Sequence, residues 1–219
     1  MTDKAGKVAI LGGSGLTGGP LINEALQQGY TVRALARDPA SLPVTHRRLE
    51  VVTGDATQGK DIETLLQGCS AVLSALGPTG QGDKGVVPRI CSTATGNLIE
   101  KMGDAEITRY ILVSSAGLVL PDDKRRGVHG LYSKFITPLL SRELLKDKKR
   151  EYRLLAASQL NWTIVRCPKI KQGKRLQALM INTKTLPGGK VRAAELTKFM
   201  VEQLVETKYE RQGVFVASA

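Results

Sequence analysis

Three glycines near the start of the chain are spaced for contact with phosphate groups. Gly12, Gly15 and Gly18 stand three residues apart in the run GGSGLTG, which Leu16 and Thr17 complete. The first glycine permits a tight turn, the second lets backbone approach an anion without a Cβ in the way, and the third lets neighbouring elements pack closely. The spacing therefore indicates a backbone cradle for a pyrophosphate.

The elements on either side of this turn are those that a phosphate cradle needs. The apolar run VAIL at 8–11 predicts a buried strand, and the apolar positions from Leu21 to Leu26 predict a helix that ends at Gly29. A helix that begins at the turn directs its free N–H groups and its positive end at the phosphates. A glycine-rich surface turn is the alternative, but the order strand, turn, helix favours a dinucleotide site.

Strands and helices alternate along the rest of the chain. Further strands are predicted at 31–36, 49–52, 71–76, 107–113, 162–166 and 214–216, the last at the sheet edge, and helical segments at 61–66, 87–98, 131–158 and 196–204. This alternation predicts an α/β fold of the Rossmann type. We expect a doubly wound, mostly parallel sheet with helices on both faces, in a single domain over 1–219. Residues 169–190 have weak periodicity and are expected to form a substrate-side flap.

Residues that follow the strands are the candidate ligand contacts, because ligands of an open α/β sheet bind beyond the carboxyl ends of its strands. Arg37 ends the second strand, where an arginine accommodates the 2′-phosphate of NADP. Asp38 competes for this place but precedes Pro39 and is better explained as a turn former. The predicted cofactor is therefore NADPH.

The other strand ends supply further candidates for cofactor binding. Asp55, next to Ala56, either contacts the adenine or closes a turn, and the sequence leaves both open. Leu76 and Gly77 would form a wall against the adenosine, although Gly77 could also be only a strand terminator. Pro168 follows the sixth strand and is expected beside the nicotinamide.

Several stretches together carry a resemblance to a known family. They are the glycine turn with its strand, RDPASLP at 37–43, VTGD at 52–55, LVSSA at 112–116 and ASQLNWTIVRCP at 157–168. The chain resembles the NmrA-like, NAD(P)-binding members of the atypical short-chain dehydrogenases/reductases, and among them the flavin reductases, also called biliverdin-IXβ reductases. The resemblance implies a Rossmann fold and hydride transfer from NADPH. Two departures bear on the substrate. The segment from Leu118 to Lys149 is longer and more basic than in those reductases, and Gln159 stands where a glycine often precedes the sixth strand.

The acid/base pair of typical short-chain dehydrogenases is absent. None of the five tyrosines has a lysine four residues later. A planar conjugated acceptor, such as a flavin, tetrapyrrole or quinone, needs no such pair because it delocalises the charge of the hydride. Ser114 and Ser115 are the predicted catalytic residues, as donors to the nicotinamide amide or an acceptor carbonyl, or else they cap the strand end. The alternative is a non-catalytic, NADP-binding redox-sensing regulator or assembly factor.

The net charge of +12 lies in one segment of the chain. Residues 124–175 hold fifteen Lys and Arg and three acidic residues, and the remaining chain has seventeen of each kind. Lys169, Lys171 and Lys174 follow the sixth strand and are predicted to bind an anionic acceptor. A solvated helix face is the alternative explanation, and nucleic-acid binding is disfavoured because few aromatic residues interleave with the charges.

The remaining expectations concern metals, compartment and assembly. Cys69, Cys91 and Cys167 are scattered without metal-ligand spacing and are predicted to be reduced, small buried residues. No apolar run approaches the roughly 20 residues that span a bilayer, and no signal-peptide core is recognisable. We therefore expect a cytoplasmic protein without a metal, as a monomer or weak homodimer.

Overall fold

The chain forms alternating strands and helices in a computed structural model that describes residues 6–77, 89–124, 142–173 and 177–219. The α-helices are α1 (Gly18–Gln27), α2 (Gly59–Leu66), α3 (Ile90–Asp104), α4 (Arg142–Ala157) and α5 (Ala193–Glu202), with a 3₁₀ turn at Pro39–Ser41. The strands are β1 (Lys7–Leu11), β2 (Thr31–Ala36), β3 (Leu49–Thr53), β4 (Cys69–Ser74), β5 (Arg109–Ser115), β6 (Asn161–Cys167), β7 (Lys169–Lys171), β8 (Leu179–Asn182), β9 (Lys190–Arg192) and β10 (Gln212–Ser218).

Eight of these strands form one sheet in the order β3-β2-β1-β4-β5-β6-β10-β8. Every neighbouring pair is parallel except β10 with β8, which is antiparallel. The strand order reverses between β1 and β4, and such a switch point opens a crevice at the carboxyl ends of the strands. The doubly wound α/β fold expected from the sequence is confirmed, and the glycine turn lies at this crevice.

The sheet is covered by helices on both faces, which explains why its central strands β1 and β4 are buried over most of their length. Val8 and Ile10 of β1 pack with α1 and α5, in a core that includes Leu21 and Met200. Ala9 and Leu11, on the opposite face, belong to a second core with residues of α2, α3 and α4. No helix among the described residues is long and apolar enough to cross a membrane.

The structure corrects the prediction at the far edge of the sheet. β10 was expected at the edge, but β8 pairs with it on the outside. The stretch 169–190 contains β7, β8 and the start of β9. These strands have three or four residues each, too few for an alternating pattern to be recognised. The predicted helix from residue 131 is observed from Arg142, and its first part lies outside the described residues, as does Val87.

Candidate functional site

Two glycines of the turn are required by the packing of the protein itself. Gly12 has a φ of +78°, and a Cβ there would lie 2.7–2.8 Å from backbone atoms of Ala75 and Leu76. A Cβ on Gly18 would lie 1.9 Å from the carbonyl oxygen of Gly12. Because both contacts are with backbone, neither position accepts a side chain without a change of the turn.

Gly15 is different, because the protein does not fill the space beside it. A Cβ on Gly15 would meet only the Gly12 carbonyl oxygen among the described residues, at an ordinary 3.4 Å. The neighbouring Leu16 is 47% exposed, whereas Thr17 is buried. Internal packing therefore gives no reason for a glycine at position 15, and close approach of a ligand to the backbone does.

The N-terminus of α1 is the one helix start among the described residues that no carboxylate neutralises. Asp61, Glu143 and Glu195 lie in the first turns of α2, α4 and α5. The Asp147 carboxylate accepts hydrogen bonds from the Cys91 and Ser92 amides at the start of α3, at 3.0 and 3.2 Å. α1 has neither an acidic first turn nor a side-chain cap. Its partial positive charge is available to an anion, so the turn fits a pyrophosphate.

Arg37 is free to bind a ligand at the end of β2. Its side chain is exposed and makes no hydrogen bond or ion pair within the described parts of the chain. Arg33, one alternation earlier, is held by the Leu65 and Thr64 carbonyls and by Glu50. Asp38 Oδ1 accepts the Ala40 N–H at 3.0 Å, which confirms the predicted turn. The arrangement leaves a guanidinium, and not a carboxylate, available at this strand end.

The structure favours the turn-closing alternative for Asp55 without excluding a ligand contact. Asp55 Oδ1 accepts hydrogen bonds from the N–H and the hydroxyl of Thr57, both at 2.8 Å. Ala56 is buried, and its carbonyl accepts a bond from Asn97. The contact of Asp55 with adenine stays a prediction.

Leu76 and Gly77 lie beyond β4, because this strand ends at Ser74, two residues earlier than predicted. The Ser74 hydroxyl accepts a hydrogen bond from the Leu76 N–H at 3.2 Å and so closes a turn after the strand. A Cβ at Gly77 would meet nothing within 4 Å of it, so the residue borders open space in the described structure. Pro168 follows β6 and is buried. Their predicted contacts with the cofactor stay predictions.

The two serines at the end of β5 have different surroundings. Ser115 Oγ accepts the Gly117 N–H at 3.0 Å and so closes the turn after the strand. Ser114 is 5% exposed, and its hydroxyl has no hydrogen-bond partner among the described residues. A buried hydroxyl without a partner is unfavourable, and a ligand that accepts its hydrogen bond would remove that cost. Ser114 is therefore the stronger catalytic candidate.

A buried ion pair near the strand ends was missed by the sequence reasoning. Lys148 Nζ lies 2.9 Å from Glu151 Oε2, with both side chains at most 6% exposed. Burial acts to lower the pKa of Lys148, but the Glu151 carboxylate raises it overall. The charge of Lys148 also reaches Cys167, whose thiol pKa burial raises to about 12. Lys148 stands seven residues before the buried Leu155, which is about two helical turns and places both side chains on the same face of α4. This spacing was the signal in the sequence that Lys148 is buried.

The predicted acceptor lysines belong to a two-stranded ribbon beyond β6. In this basic ribbon, β7 pairs in parallel with β9, so that Lys169 lies beside Lys190 and Lys171 beside Arg192. Arg192 is paired with Glu195 at 3.2 Å, whereas the three lysines have no acidic partner in the described structure. Lys190 and Arg192 were not predicted, and Lys174 lies outside the described residues.

The sequence predicts three reduced, buried cysteines and no metal site. The three thiols are free, and Cys91 and Cys167 are buried as expected, but Cys69 is only partly buried. Burial raises the pKa of Cys91 to about 11. Within the described residues, no three His, Cys, Asp or Glu side chains are grouped closely enough to bind a metal.

The family of the chain follows from comparison with known proteins. The model of a family described as NAD(P)H-binding matches residues 12–207. The chain therefore belongs to this NAD(P)H-binding family.

Relatives and solved structures agree with this assignment. Dihydroflavonol 4-reductase from Zea mays is 28% identical over 137 residues, which are 57% of this chain and 38% of that protein. A 3-beta-hydroxysteroid dehydrogenase from Mycolicibacterium neoaurum is 39% identical over 67 residues, 31% of this chain and 18% of the relative. The chain thus spans less than two fifths of these relatives.

Structural similarity covers nearly the whole chain and concerns the fold. A short-chain dehydrogenase/reductase from Veillonella parvula superposes with a TM-score of 0.81 at 16% identity, covering 97% of this chain and 94% of that one. A structure of a short-chain dehydrogenase/reductase from the same organism in complex with NADP has a TM-score of 0.77 at 17% identity. This match also covers 97% of this chain and 94% of that one.

Proposed function

We propose that the protein is an NADPH-dependent reductase that transfers hydride to a planar conjugated acceptor of the flavin, tetrapyrrole or quinone type. The observation that carries this proposal is the buried hydroxyl of Ser114 at the end of β5, which has no hydrogen-bond partner in the described parts of the chain. β5 lies two strands along from β1, about 10 Å away. A dinucleotide with its phosphates at the turn after β1 would extend toward this hydroxyl.

Each candidate residue has a role in this proposal. The turn from Gly12 to Gly18 binds the pyrophosphate, and Arg37 binds the 2′-phosphate through charge-assisted hydrogen bonds. Asp55, Ala56, Leu76 and Gly77 border the adenosine, and Pro168 borders the nicotinamide. NADPH supplies the hydride when bound. Ser114 donates a hydrogen bond to an acceptor carbonyl or to the nicotinamide amide and so orients the reacting groups.

The acceptor is proposed to be a small anionic molecule, attracted by the basic ribbon beyond β6. Lys169 and Lys190 lie side by side across the two strands, and Lys171 and Arg192 form the next pair. Like charges directly opposite on neighbouring strands destabilise a sheet, and a phosphate or carboxylate between Lys169 and Lys190 would relieve the repulsion, whereas Arg192 already has Glu195 as its partner. Lys174 remains part of the proposed acceptor site from its position in the sequence alone.

The test is steady-state oxidation of NADPH with FMN, riboflavin and a quinone as acceptors. The proposal expects turnover, with Ser114→Ala lowering kcat about tenfold. An unchanged Kd for NADPH in this variant would place the hydroxyl at the acceptor carbonyl, and a raised Kd would place it at the nicotinamide amide. Ser115→Ala is the matched control, because its hydroxyl already bonds Gly117 and its loss should affect stability more than kcat.

A different outcome would favour another function. If NADPH binds and no acceptor is turned over, the protein is better explained as a non-catalytic, NADP-binding redox-sensing regulator or assembly factor. If Ser114→Ala and Ser115→Ala have equal effects on kcat, Ser114 has no special role in the reaction.

A cytoplasmic location and a monomeric or weakly dimeric state complete the proposal. Both derive from the sequence, as does the expectation that neither a membrane nor a nucleic acid is the partner. Cell fractionation and light scattering over a range of concentrations would test them, and binding of duplex DNA at physiological salt would contradict the last.

A further inference from the structure

A cleft of about 410 Å³ lies between the loop that follows β5 and the second half of α4. Its volume is within the range of small-molecule sites, and no proposed contact with NADPH or acceptor lies in it. The lining residues are Val119, Leu120, Pro121, Asp123, Lys149, Tyr152 and Arg153.

The loop side of the cleft is fixed to the sheet by buried charges. Arg166, in β6, is fully buried, and its guanidinium donates to both carboxylate oxygens of Asp123 at 2.7 and 2.8 Å. Asp123 Oδ2 also accepts the Leu120 N–H at 2.8 Å, and the Leu118 carbonyl accepts a bond from Arg166. These bonds hold the loop in place before any ligand binds, which lowers the entropic cost of binding.

The helix side of the cleft carries two cations without partners. Lys149 and Arg153 are exposed, stand one helical turn apart and make no ion pair with any described residue. Like charges at this spacing repel each other. Other lysines of α4 are paired: Lys146 lies 2.7 Å from Glu143, and Lys148 is bound to Glu151. An anion in the cleft would relieve the repulsion between Lys149 and Arg153.

Between these cations and the loop the walls are apolar. Val119, Leu120 and Pro121 form one side, and the Tyr152 ring forms the other. Tyr152 is partly buried, and its ring stands edge-on to Trp162, with centroids 6.0 Å apart and an angle of 86° between the planes. The cleft therefore combines apolar and aromatic side chains with positive charge, as an amphipathic anion requires.

The helix wall of the cleft lies away from the dinucleotide crevice. Trp162 is the second residue of β6, so Tyr152 packs near the amino end of that strand. α4 returns from the carboxyl end of β5 to the amino end of β6, and its second half therefore lies away from the edge that carries the glycine turn. The loop wall is bonded through Asp123 to Arg166, which lies beside Ser114 in the register of β5 and β6, so this end of the cleft approaches the crevice.

We propose that this cleft is a second binding site, for a small amphipathic anion with an aromatic or flat apolar body and one carboxylate or phosphate group. The body lies against Leu120, Pro121 and Tyr152. The anionic group is bound by Arg153, which can donate two parallel hydrogen bonds to it, and by Lys149 as a point charge. The proposal does not depend on reductase activity.

The test uses the full chain saturated with NADP⁺, titrated calorimetrically with 2-naphthoate, 2-naphthyl phosphate and the neutral 2-naphthamide. One or both anions should bind at least tenfold more tightly than the amide, and added salt should narrow the gap. Arg153→Gln and Lys149→Gln should each weaken anion binding several-fold. Lys146→Gln, on the same helix but paired with Glu143 and outside the cleft, should leave it unchanged.

The affinity of each variant for NADPH serves as the check on folding and should equal that of the wild type. The proposal is overturned if acid, phosphate and amide bind equally, or if none binds at millimolar concentration. It is also overturned if Lys146→Gln weakens anion binding as much as Arg153→Gln. If 2-naphthoate binds the chain without NADP⁺ but not the chain saturated with NADP⁺, the binding belongs to the dinucleotide crevice and the proposal is overturned.

Discussion

Substitution of Gly15 by alanine isolates the role of the glycine turn in ligand binding from its role in folding. The added methyl would have only an ordinary 3.4 Å contact with the Gly12 carbonyl oxygen. It would stand on the surface that the pyrophosphate must approach. The same change at Gly18 would bring a Cβ within 1.9 Å of that oxygen and must disturb the turn itself.

The magnitudes follow from these contacts. For Gly15→Ala we expect a free energy of unfolding within about 1 kcal/mol of the wild type, because an alanine without a clash also restricts the unfolded chain. Its Kd for NADPH should rise at least about tenfold, which corresponds to roughly 1.4 kcal/mol. Gly18→Ala should lose about 3 kcal/mol or more of stability, since its contact is with backbone that cannot rotate away.

The assay is calorimetric titration with NADPH, together with urea unfolding of each variant. Gly96→Ala is the control, because Gly96 lies inside α3 and an added Cβ would meet nothing within 4 Å. This variant should be more stable than the wild type by about 0.5–1 kcal/mol and should bind NADPH with unchanged affinity. Unchanged affinity in a folded Gly15→Ala variant would refute the assignment of the turn as the phosphate site.

Three further predictions concern charges. Arg37→Ala should weaken NADPH binding about tenfold or more and leave NADH binding unchanged. The control Arg47→Ala, at another exposed arginine, should change neither affinity. Equal affinities of the wild type for the two cofactors would contradict the 2′-phosphate contact. Glu151→Ala should cost about 3–5 kcal/mol in urea unfolding, because it leaves the Lys148 ammonium buried and unpaired; a cost below 1 kcal/mol would show that the pair is solvated. Burial acts to raise the pKa of Glu195, but hydrogen bonds from Ser218, the Gln177 amide and Arg192 lower it overall. The ionised Glu195 carboxylate therefore stabilises the fold above about pH 4.5, and this stabilisation is lost as the pH falls below that value. The wild type should therefore lose more stability than Glu195→Gln between pH 6 and about 3.5, and parallel curves would argue against this linkage.

The order of strands and helices was predictable because it depends on local patterns. Runs such as VAIL at 8–11 and the apolar spacing of α1 are read within a few residues, and they agree with the observed elements. β8 was missed because a four-residue strand with the sequence LMIN has no alternation, and its pairing with β10 involves residues more than thirty positions away. Its assignment to the sheet needs the path of the whole chain.

The charge of the basic segment illustrates the same limit. In the sequence, residues 124–175 carry an excess of positive charge. In the structure, Arg166 of this segment is bonded to Asp123, which lies just outside the segment, and Asp147 binds the start of α3. Counting charges along the chain cannot show which of them are paired across it. The structure leaves Lys149, Arg153 and the lysines of the basic ribbon without acidic partners in the described residues.

The sequence by itself determined the fold class and the glycine turn, because the conformational freedom of glycine and the spacing of apolar residues act over one or two turns of chain. Tertiary structure alone decided which hydroxyl at the end of β5 has no partner among the described residues. Ser114 and Ser115 are neighbours in sequence, and only the burial of Ser114 and the bond of Ser115 to Gly117 distinguish them. It also brought Lys190 and Arg192 beside Lys169 and Lys171, across about twenty residues. The burial of a side chain and the pairing of two strands depend on which distant segments of the chain pack together, and this is a property of the folded sheet.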